Sequence, residues 1–415
     1  MYQIKRDGDK VHGYFWGLPI FYSRRLENST RYRLLFFRWE RKKTELEIKV
    51  DKLDERLKII EKKSGIFKSM FPFSDVRKNS VLLIESNNFH SELLPGIAYY
   101  FIQLGYHVDV LLSYYENKLE PFARYNYHKI RINSIKKDSI LDLLRCDECE
   151  KYKYIYFNSD RVNYQKDISY EYFNSAVKAK ENCIYMIHHL ESFQNKNVAH
   201  ALMLGDYVCA VKNRPEIVVP VYYGNIQIKP KREKTRFIVI GNIDPKRKNF
   251  EMLIKALKDR TILSENFEVA VIARTGNLDI PEDLKSRFVF LGKLAYSQMY
   301  NEIENSDFIL TLLDHEVSDH LRYRDWGISG SILLCYGFRK PCLIDSYFAG
   351  KYQYNNQNAL IYTSSLNFKE CILRAIKMNE TEYLNMQLAL SDAVNDIYEQ
   401  SIKNLSRIVK NVREH

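Results

Sequence analysis

The chain of 415 residues is 46% hydrophobic and 28% charged, and its 63 Lys and Arg against 52 Asp and Glu leave a net charge of +11. That length exceeds what one ordinary core serves and predicts two domains with appendages. No run approaches the ~18 consecutive apolar residues of a membrane span, and the opening MYQIKRDGDKVHGYF lacks the charged-then-apolar order of a secretory signal, so the expected compartment is the cytoplasm.

Residues 1–77 read as a basic extension, since residues 1–75 hold 18 Lys and Arg against 11 Asp and Glu. From Trp39 the apolar positions Trp39, Leu46, Val50, Leu53, Leu57 and Ile60 keep heptad steps with Glu45, Lys52, Glu55 and Lys58 between them. The spacing predicts a helix that lays its stripe on another helix, and a seam of about three repeats leaves two partners open. One is a second copy of the chain, joined through residues 39–60; the other is the same chain. Positive charge in such an arm fits nucleic acid, anionic lipid or plain solubility. Interleaved acids on the heptad disfavour nucleic acid.

Residues 78–228 alternate strands with helices. SVLLIES, HVDVLLSYY, KYIYFNS, NCIYMIHH and YVCAVK are short apolar runs suited to a parallel sheet covered on both faces, and LLPGIAYYFIQLGY is the first helix between them. After the basic loop IQIKPKREKT a second series fills 229–380: TRFIVI, FEVAVIAR, FVFLGKL, DFILTLLD and KPCLIDS. Residues 381–415 form a closing helix with Leu384, Leu388, Val394, Ile397, Leu405 and Ile408 as its stripe, long enough to reach back across the domains. Two doubly wound units place a ligand cleft between them, at the carboxyl ends of both sheets. The seven cysteines, spread from Cys146 to Cys371, read as reduced thiols; Cys146 and Cys149 form a C-x-x-C without a second pair at zinc-ligand spacing and read as structural.

Two stretches carry anion chemistry. IVIGNIDPKRKNFEMLIKAL is a strand, a turn at Asn242, and the cations Lys246, Arg247 and Lys248 before a helix, so a diphosphate at the strand's end would meet cations and helix amides. A solvated charge run is the plain alternative. In RDWGISGSILLCYGFRKPCLI the small residues Gly327, Ser329, Gly330 and Ser331 precede Ile332, Leu333 and Tyr336, and Gly337 closes the pattern. Small side chains let an anion reach the unpaired N–H groups at a helix start. A serine cap with a glycine packing contact is the alternative.

With these motifs the chain resembles the nucleotide-sugar-dependent glycosyltransferases of the GT-B fold, in particular bacterial enzymes of lipopolysaccharide and capsule synthesis. The likeness covers about 79–415 and rests on GNIDPKRKNFEMLIKAL, FLGKLAYSQMYNEIENSDFILTLL and GISGSILLCYGFRKPCLID. GYFWGLPIFYSRR is similar to the short aromatic leader of some surface-polysaccharide transferases. The resemblance implies two Rossmann-like domains, with the acceptor on 78–228 and the nucleotide sugar on 229–380. Donor contacts would come from Asn242, Arg247, Lys248, Ser329, Gly330 and Ser331. Retaining members usually carry a glutamate seven residues before the proline of a G-K-P-like turn; Leu334 stands there, which tilts the expectation toward inversion.

An inverting transfer needs a base to take the acceptor hydroxyl proton. In ESNNFHSELLPG, after the first strand of 78–228, Glu92 is the first choice and His90 the second; a helix-capping Glu92 beside an exposed His90 is the other reading. His188 and His189 end NCIYMIHH, and His188 is assigned to the sugar site by likeness to GT-B histidines. Asp314, His315, Glu316, Asp319, Arg322 and Arg324 have metal-like composition but no standard ligand spacing, so neither a metal nor a cofactor is expected beyond the nucleotide sugar. The expected function is transfer of a sugar from a nucleotide donor to a hydroxyl of a surface glycan or lipid-linked glycan, with peripheral contact to an anionic membrane. The alternative is a non-catalytic binding or scaffolding protein assembled through its coiled-coil arm.

Overall fold

The structure is a computed structural model that describes the strands within residues 2–42 and then residues 71–125, 128–136, 139, 143–144, 146–159, 182–188, 200–207, 214–274 and 276–411. Two compact units divide it, Met1–Phe71 and Pro72–His415. In the first, β1 (Tyr2–Asp7), β2 (Lys10–Phe15), β3 (Leu18–Arg25), β4 (Ser29–Leu34) and β5 (Phe37–Lys42) form an antiparallel meander in chain order. Trp39 therefore sits in a strand and not at the head of a helix. FRWE, Phe37 to Glu40, alternates apolar and charged residues with period two, the strand signature, before any heptad begins. The remaining heptad positions, Leu46 to Ile60, lie outside the described residues.

The second unit carries two parallel sheets. The first comprises β6 (Ser80–Glu85), β7 (His107–Ser113), β8 (Ile130–Ile135), β9 (Tyr154–Phe157), β10 (Cys183–Ile187), β11 (Ala201–Met203) and β12 (Glu216–Ile217), in the order β12-β11-β10-β9-β6-β7-β8. The second comprises β13 (Thr235–Ile240), β14 (Phe267–Ile272), β15 (Phe288–Gly292), β16 (Phe308–Leu310), β17 (Cys342–Asp345) and β18 (Leu360–Tyr362), in the order β15-β14-β13-β16-β17-β18. In both, the first strand lies inside and the winding reverses beside it, at β6/β9 and at β13/β16. Loops leaving the carboxyl ends there open a crevice. The central strands are buried on both faces, as in Val81 to Ile84 and Phe237 to Val239, whereas the edge strands β8 and β15 are partly exposed.

The expected strand YVCAVK falls mostly outside the described residues. Cys146 and Cys149 are buried and unbridged, at a one-turn helix, Asp147–Glu150. The closing helix, Glu380–Asn411, runs over both domains: Tyr383 and Met386 pack in the second core, and Leu405 and Val409 in the first. Asn404 Nδ2 donates to Ile217 O at 2.8 Å and Tyr383 Oη to Asp307 O at 2.8 Å. Leu384 and Leu388 are exposed at 48% and 55%, so the stripe is set one residue away, on Tyr383, Met386, Leu390 and Val394. A 3.6-residue period from Tyr383 gives this set, and the two leucines fall on its solvent edge.

The segment around Tyr222 seals the two domains. A Cβ on Gly96 would lie 2.5 Å from Val221 O, and one on Gly337 would lie 2.7 Å from Tyr222 Cβ, so both positions admit only glycine without a backbone shift. Gly337 thus belongs to packing. The helix runs on to Phe338, and Arg339, at φ 50°, ends it in the left-handed conformation. Arg124 and Glu304 form an ion pair at 2.6 Å between the domains, with Glu304 buried.

Candidate active site

In the first domain β6 ends on Glu85, which is buried and accepts from Asn87 N at 2.8 Å, Asn158 Nδ2 at 2.9 Å and Ser159 Oγ at 2.7 Å. Burial outweighs these donors and pushes its carboxyl above the ordinary range. The network ties the loop after β6 to the end of β9. It holds His90 at φ 68°, a left-handed conformation that a non-glycine residue keeps only when its surroundings impose it; Asn158 Nδ2 donates to His90 O at 2.7 Å.

His90 Nδ1 lies 3.7 Å from Glu92 Oε1, and its ring stacks on His188 with centroids 4.0 Å apart. Nε2 of His188 donates to Asn158 O at 2.7 Å, which fixes that ring's proton on Nε2. Burial by itself would lower His90, but the hydrogen bond and charge of Glu92 outweigh it and the imidazole titrates above its ordinary value. Glu92 answers in reverse. Burial would raise it, while His90 and the Tyr296 hydroxyl, 3.1 Å from Oε2, bring it below the ordinary carboxylate value.

The second domain faces this pair. At the end of β13, Gly241 has φ 120°, and a Cβ there would lie 3.1 Å from Lys248 Cε, so the lysine stem passes directly beneath the turn. Lys248 is buried and donates from Nζ to Thr311 O at 3.1 Å; burial lowers its amine to about 8. Arg247 is half exposed, 3.6 Å from Asp244. Asn249 caps the helix Phe250–Leu257 by accepting from Met252 N at 2.9 Å. Arg322 donates to Lys246 O at 3.2 Å and so lies against the same loop.

The helix Gly330–Phe338 begins at the cleft. Ser329 is its N-cap by position, yet no side chain caps it: the Ser329 and Ser331 hydroxyls bond each other at 3.0 Å. The serine-cap reading is therefore corrected, because the hydroxyl that would cap is turned onto its neighbour. Glu92 Oε1 lies 3.9 Å from where a Cβ on Gly330 would stand, which sets the helix start beside the His90–Glu92 pair.

One cavity of about 450 Å³ holds this arrangement, a size suited to a small-molecule ligand. His90, Glu92 and His188 line it from the first domain; Asn242, Arg247, Lys248, Ser329, Gly330 and Ser331 line it from the second. Leu334 also faces it. The sequence reading did not name Arg274, Lys293 and Tyr296, which line it too. Arg274 and Lys293 bracket the Tyr115 ring of the first domain at 5.5 and 3.8 Å. Both stand just past a strand, in VIAR and FLGK, and their place at a carboxyl end was the available signal.

Among the described residues one group, Asp314, His315 and Asp345, brings possible metal-donor atoms within 4.8 Å of one another. His315 Nδ1 lies 2.7 Å from Asp345 Oδ2, Asn249 Nδ2 donates to Asp314 at 2.7 Å, and Tyr347 N donates to Asp345 at 2.8 Å. These bonds tie the ends of β16 and β17 together.

No protein-family model matches the sequence, and no curated protein matches it. Among solved structures, sucrose-phosphate synthase from Thermosynechococcus elongatus matches 81% of this chain and 99% of its own at a TM-score of 0.50 and 10% identity. An alpha,alpha-trehalose-phosphate synthase (UDP-forming) from Burkholderia vietnamiensis matches 82% of this chain and 100% of its own at a TM-score of 0.47 and 7% identity. At such identity the likeness is one of fold, and the first of the two carries it. The described residues between 80 and 411 have the GT-B fold, two parallel-sheet α/β domains facing across a cleft.

Proposed function

We propose that the chain is a nucleotide-sugar-dependent glycosyltransferase that works by inversion. The observation that carries this reading is the meeting of Glu92 with Gly330: an acid–base pair from one domain stands beside an uncapped helix start from the other. The donor diphosphate lies over the N–H groups of Gly330 and Ser331, with Lys248, Arg247 and Arg322 supplying positive charge. The sugar then projects toward His90 and Glu92. The acceptor hydroxyl oxygen attacks the anomeric carbon as the bond to the diphosphate breaks, and the imidazole takes the hydroxyl proton. His90 fits this role better than Glu92, because Glu92 is held low by His90 and Tyr296 and is the weaker proton acceptor. Glu92 stabilises the imidazolium, and the cations and helix amides stabilise the departing diphosphate. His188, stacked on His90, contacts the sugar. Leu334 in the cleft leaves no carboxylate at the position where retaining members hold one, which supports inversion.

The acceptor is a hydroxyl of a surface glycan of the lipopolysaccharide or capsule kind, carried on lipid at the cytoplasmic face of the membrane. The protein's own cations serve the diphosphate, so the reaction needs no metal. The basic character of the meander segment supports peripheral contact: residues 1–42 hold 10 Lys and Arg against 4 Asp and Glu, a surplus that favours an anionic surface. No described helix is long and apolar enough to cross a membrane.

The test is release of nucleoside diphosphate from a panel of nucleotide sugars, with product anomeric configuration read by NMR. Acceptor-stimulated release with inverted configuration is expected; no release from any donor, or a retained configuration, contradicts the reading.

A further inference from the structure

Glu92 has a second partner, and it comes from the other domain. Tyr296 opens the helix Tyr296–Glu304; its N–H donates to Leu119 O at 2.8 Å, and its hydroxyl donates to Glu92 Oε2 at 3.1 Å. The same hydroxyl lies 3.2 Å from Ser91 Oγ, which is hydrogen-bonded to Glu116 Oε2. Glu116 is 1% exposed, and its Oε1 has no hydrogen-bond partner among the described residues.

Counting hydrogens places the proton. Tyr296 uses its only hydroxyl hydrogen on Glu92. With Glu116 ionised, Ser91 would give its single hydrogen to Glu116, and the Ser91–Tyr296 contact would hold two oxygens with no hydrogen between them. With Glu116 a neutral acid, every contact is filled in one direction: Glu116 to Ser91, Ser91 to Tyr296, Tyr296 to the Glu92 carboxylate. A buried carboxylate oxygen without a partner argues the same way, since desolvation penalises its charge.

We propose that Tyr296 is a positioning residue through which the second domain fixes the His90–Glu92 pair, and that a neutral Glu116 heads the hydrogen-bond chain holding Tyr296 to that task. The kinetic consequence rests on the transferase reading; the chain itself does not. Burial raises Glu116 to about 7, with Ser91 and Arg274 opposing and the charges of Glu92 and Glu85 adding to it. As pH rises through that value Glu116 ionises, Ser91 turns to it, and Tyr296 loses its support.

Infrared difference spectroscopy at pH 6, wild type against Glu116→Gln, tests the proton's place. A neutral-carboxyl C=O band lost in the variant is expected; its absence from the difference spectrum overturns the proposal, whatever the enzyme turns over. Steady-state kinetics test the positioning. Tyr296→Phe should lower kcat at least ~10-fold, the size of a lost hydrogen bond to a charged group, with KM for the donor unchanged. Glu116→Leu should lower kcat similarly, and Glu116→Gln should restore most of it, because an amide N–H donates to Ser91 as the neutral acid does. The Gln variant should also lose the part of the wild type's kcat decline centred near pH 7 and keep the part near pH 8 that Lys248 sets. Full turnover in Tyr296→Phe, or equal losses in the Leu and Gln variants, overturns it.

Discussion

Replacing Lys248 by Met removes the charge and keeps the stem beneath Gly241. Lys248 is 5% exposed, whereas the Arg247 side chain is 53% exposed and already 3.6 Å from Asp244. A charge-assisted hydrogen bond is worth ~1.5–3 kcal/mol when shielded from water, and an exposed one falls to ~1 kcal/mol or below. At ~1.4 kcal/mol per tenfold, Lys248→Met should raise the Kd for a nucleoside diphosphate by ~10- to 100-fold, and Arg247→Ala only a few-fold. Burial also makes the site sensitive to pH. With the amine lowered to about 8, the charged form dominates at pH 7 and becomes the minor form by pH 9. The anion binds the protonated lysine, so affinity should fall by roughly tenfold from pH 7 to 9, with proton uptake on binding near pH 8. Calorimetry in two buffers of different ionisation enthalpy measures both. A wild-type affinity that stays flat across this window, or equal losses in the two variants, would refute the assignment of Lys248 as the buried diphosphate cation.

Glu92→Gln should cut turnover by ~100-fold or more with donor affinity kept, and should move the acidic limb of kcat/KM downward, because burial then acts on His90 against only smaller charge effects such as that of Glu85; an active His90→Ala beside a dead Glu92→Gln would make Glu92 the base. Gly96→Ala forces a methyl against Val221 O and should destabilise the chain by ~1–3 kcal/mol in denaturant unfolding; unchanged stability would show that the segment moves freely. Deleting residues 1–70 should abolish sedimentation with anionic vesicles, an attraction of ~1 kcal/mol per well-placed cation that fades with salt; equal binding by both proteins would place the contact elsewhere.

Much of the fold was legible because buried parallel strands are continuous apolar runs. SVLLIES, FEVAVIAR and KPCLIDS needed only length and composition to be placed. The strand IRINSI was not read, since β8 is an edge strand with mostly half-buried, polar-rich positions, and β11, β12 and β18 are three residues or fewer. Of the cleft, the lining residues proposed for the donor were readable where chemistry and local spacing coincide: glycines and serines before a helix, cations after a strand. Tyr296 and Glu116 were not. Tyr296 meets Glu92 across 204 residues of sequence, and only domain packing brings the two hydroxyls and two carboxyls into line. Gly337 was misread for a related reason, since a glycine near a helix end signals a cap locally, while its neighbour Tyr222 is distant in the chain.

In the proposed function the cleft between the two sheets binds a nucleotide sugar through the start of the Gly330–Phe338 helix. Thermal unfolding of the full-length protein against a panel of nucleotide sugars tests it most directly. A ligand at ~100 times its Kd stabilises the native state by ~2.7 kcal/mol, enough to raise Tm by several degrees. Such a shift is expected with one class of nucleotide sugar, reduced in Lys248→Met; no shift with any donor, or an undiminished shift in Lys248→Met, would contradict binding at this helix start.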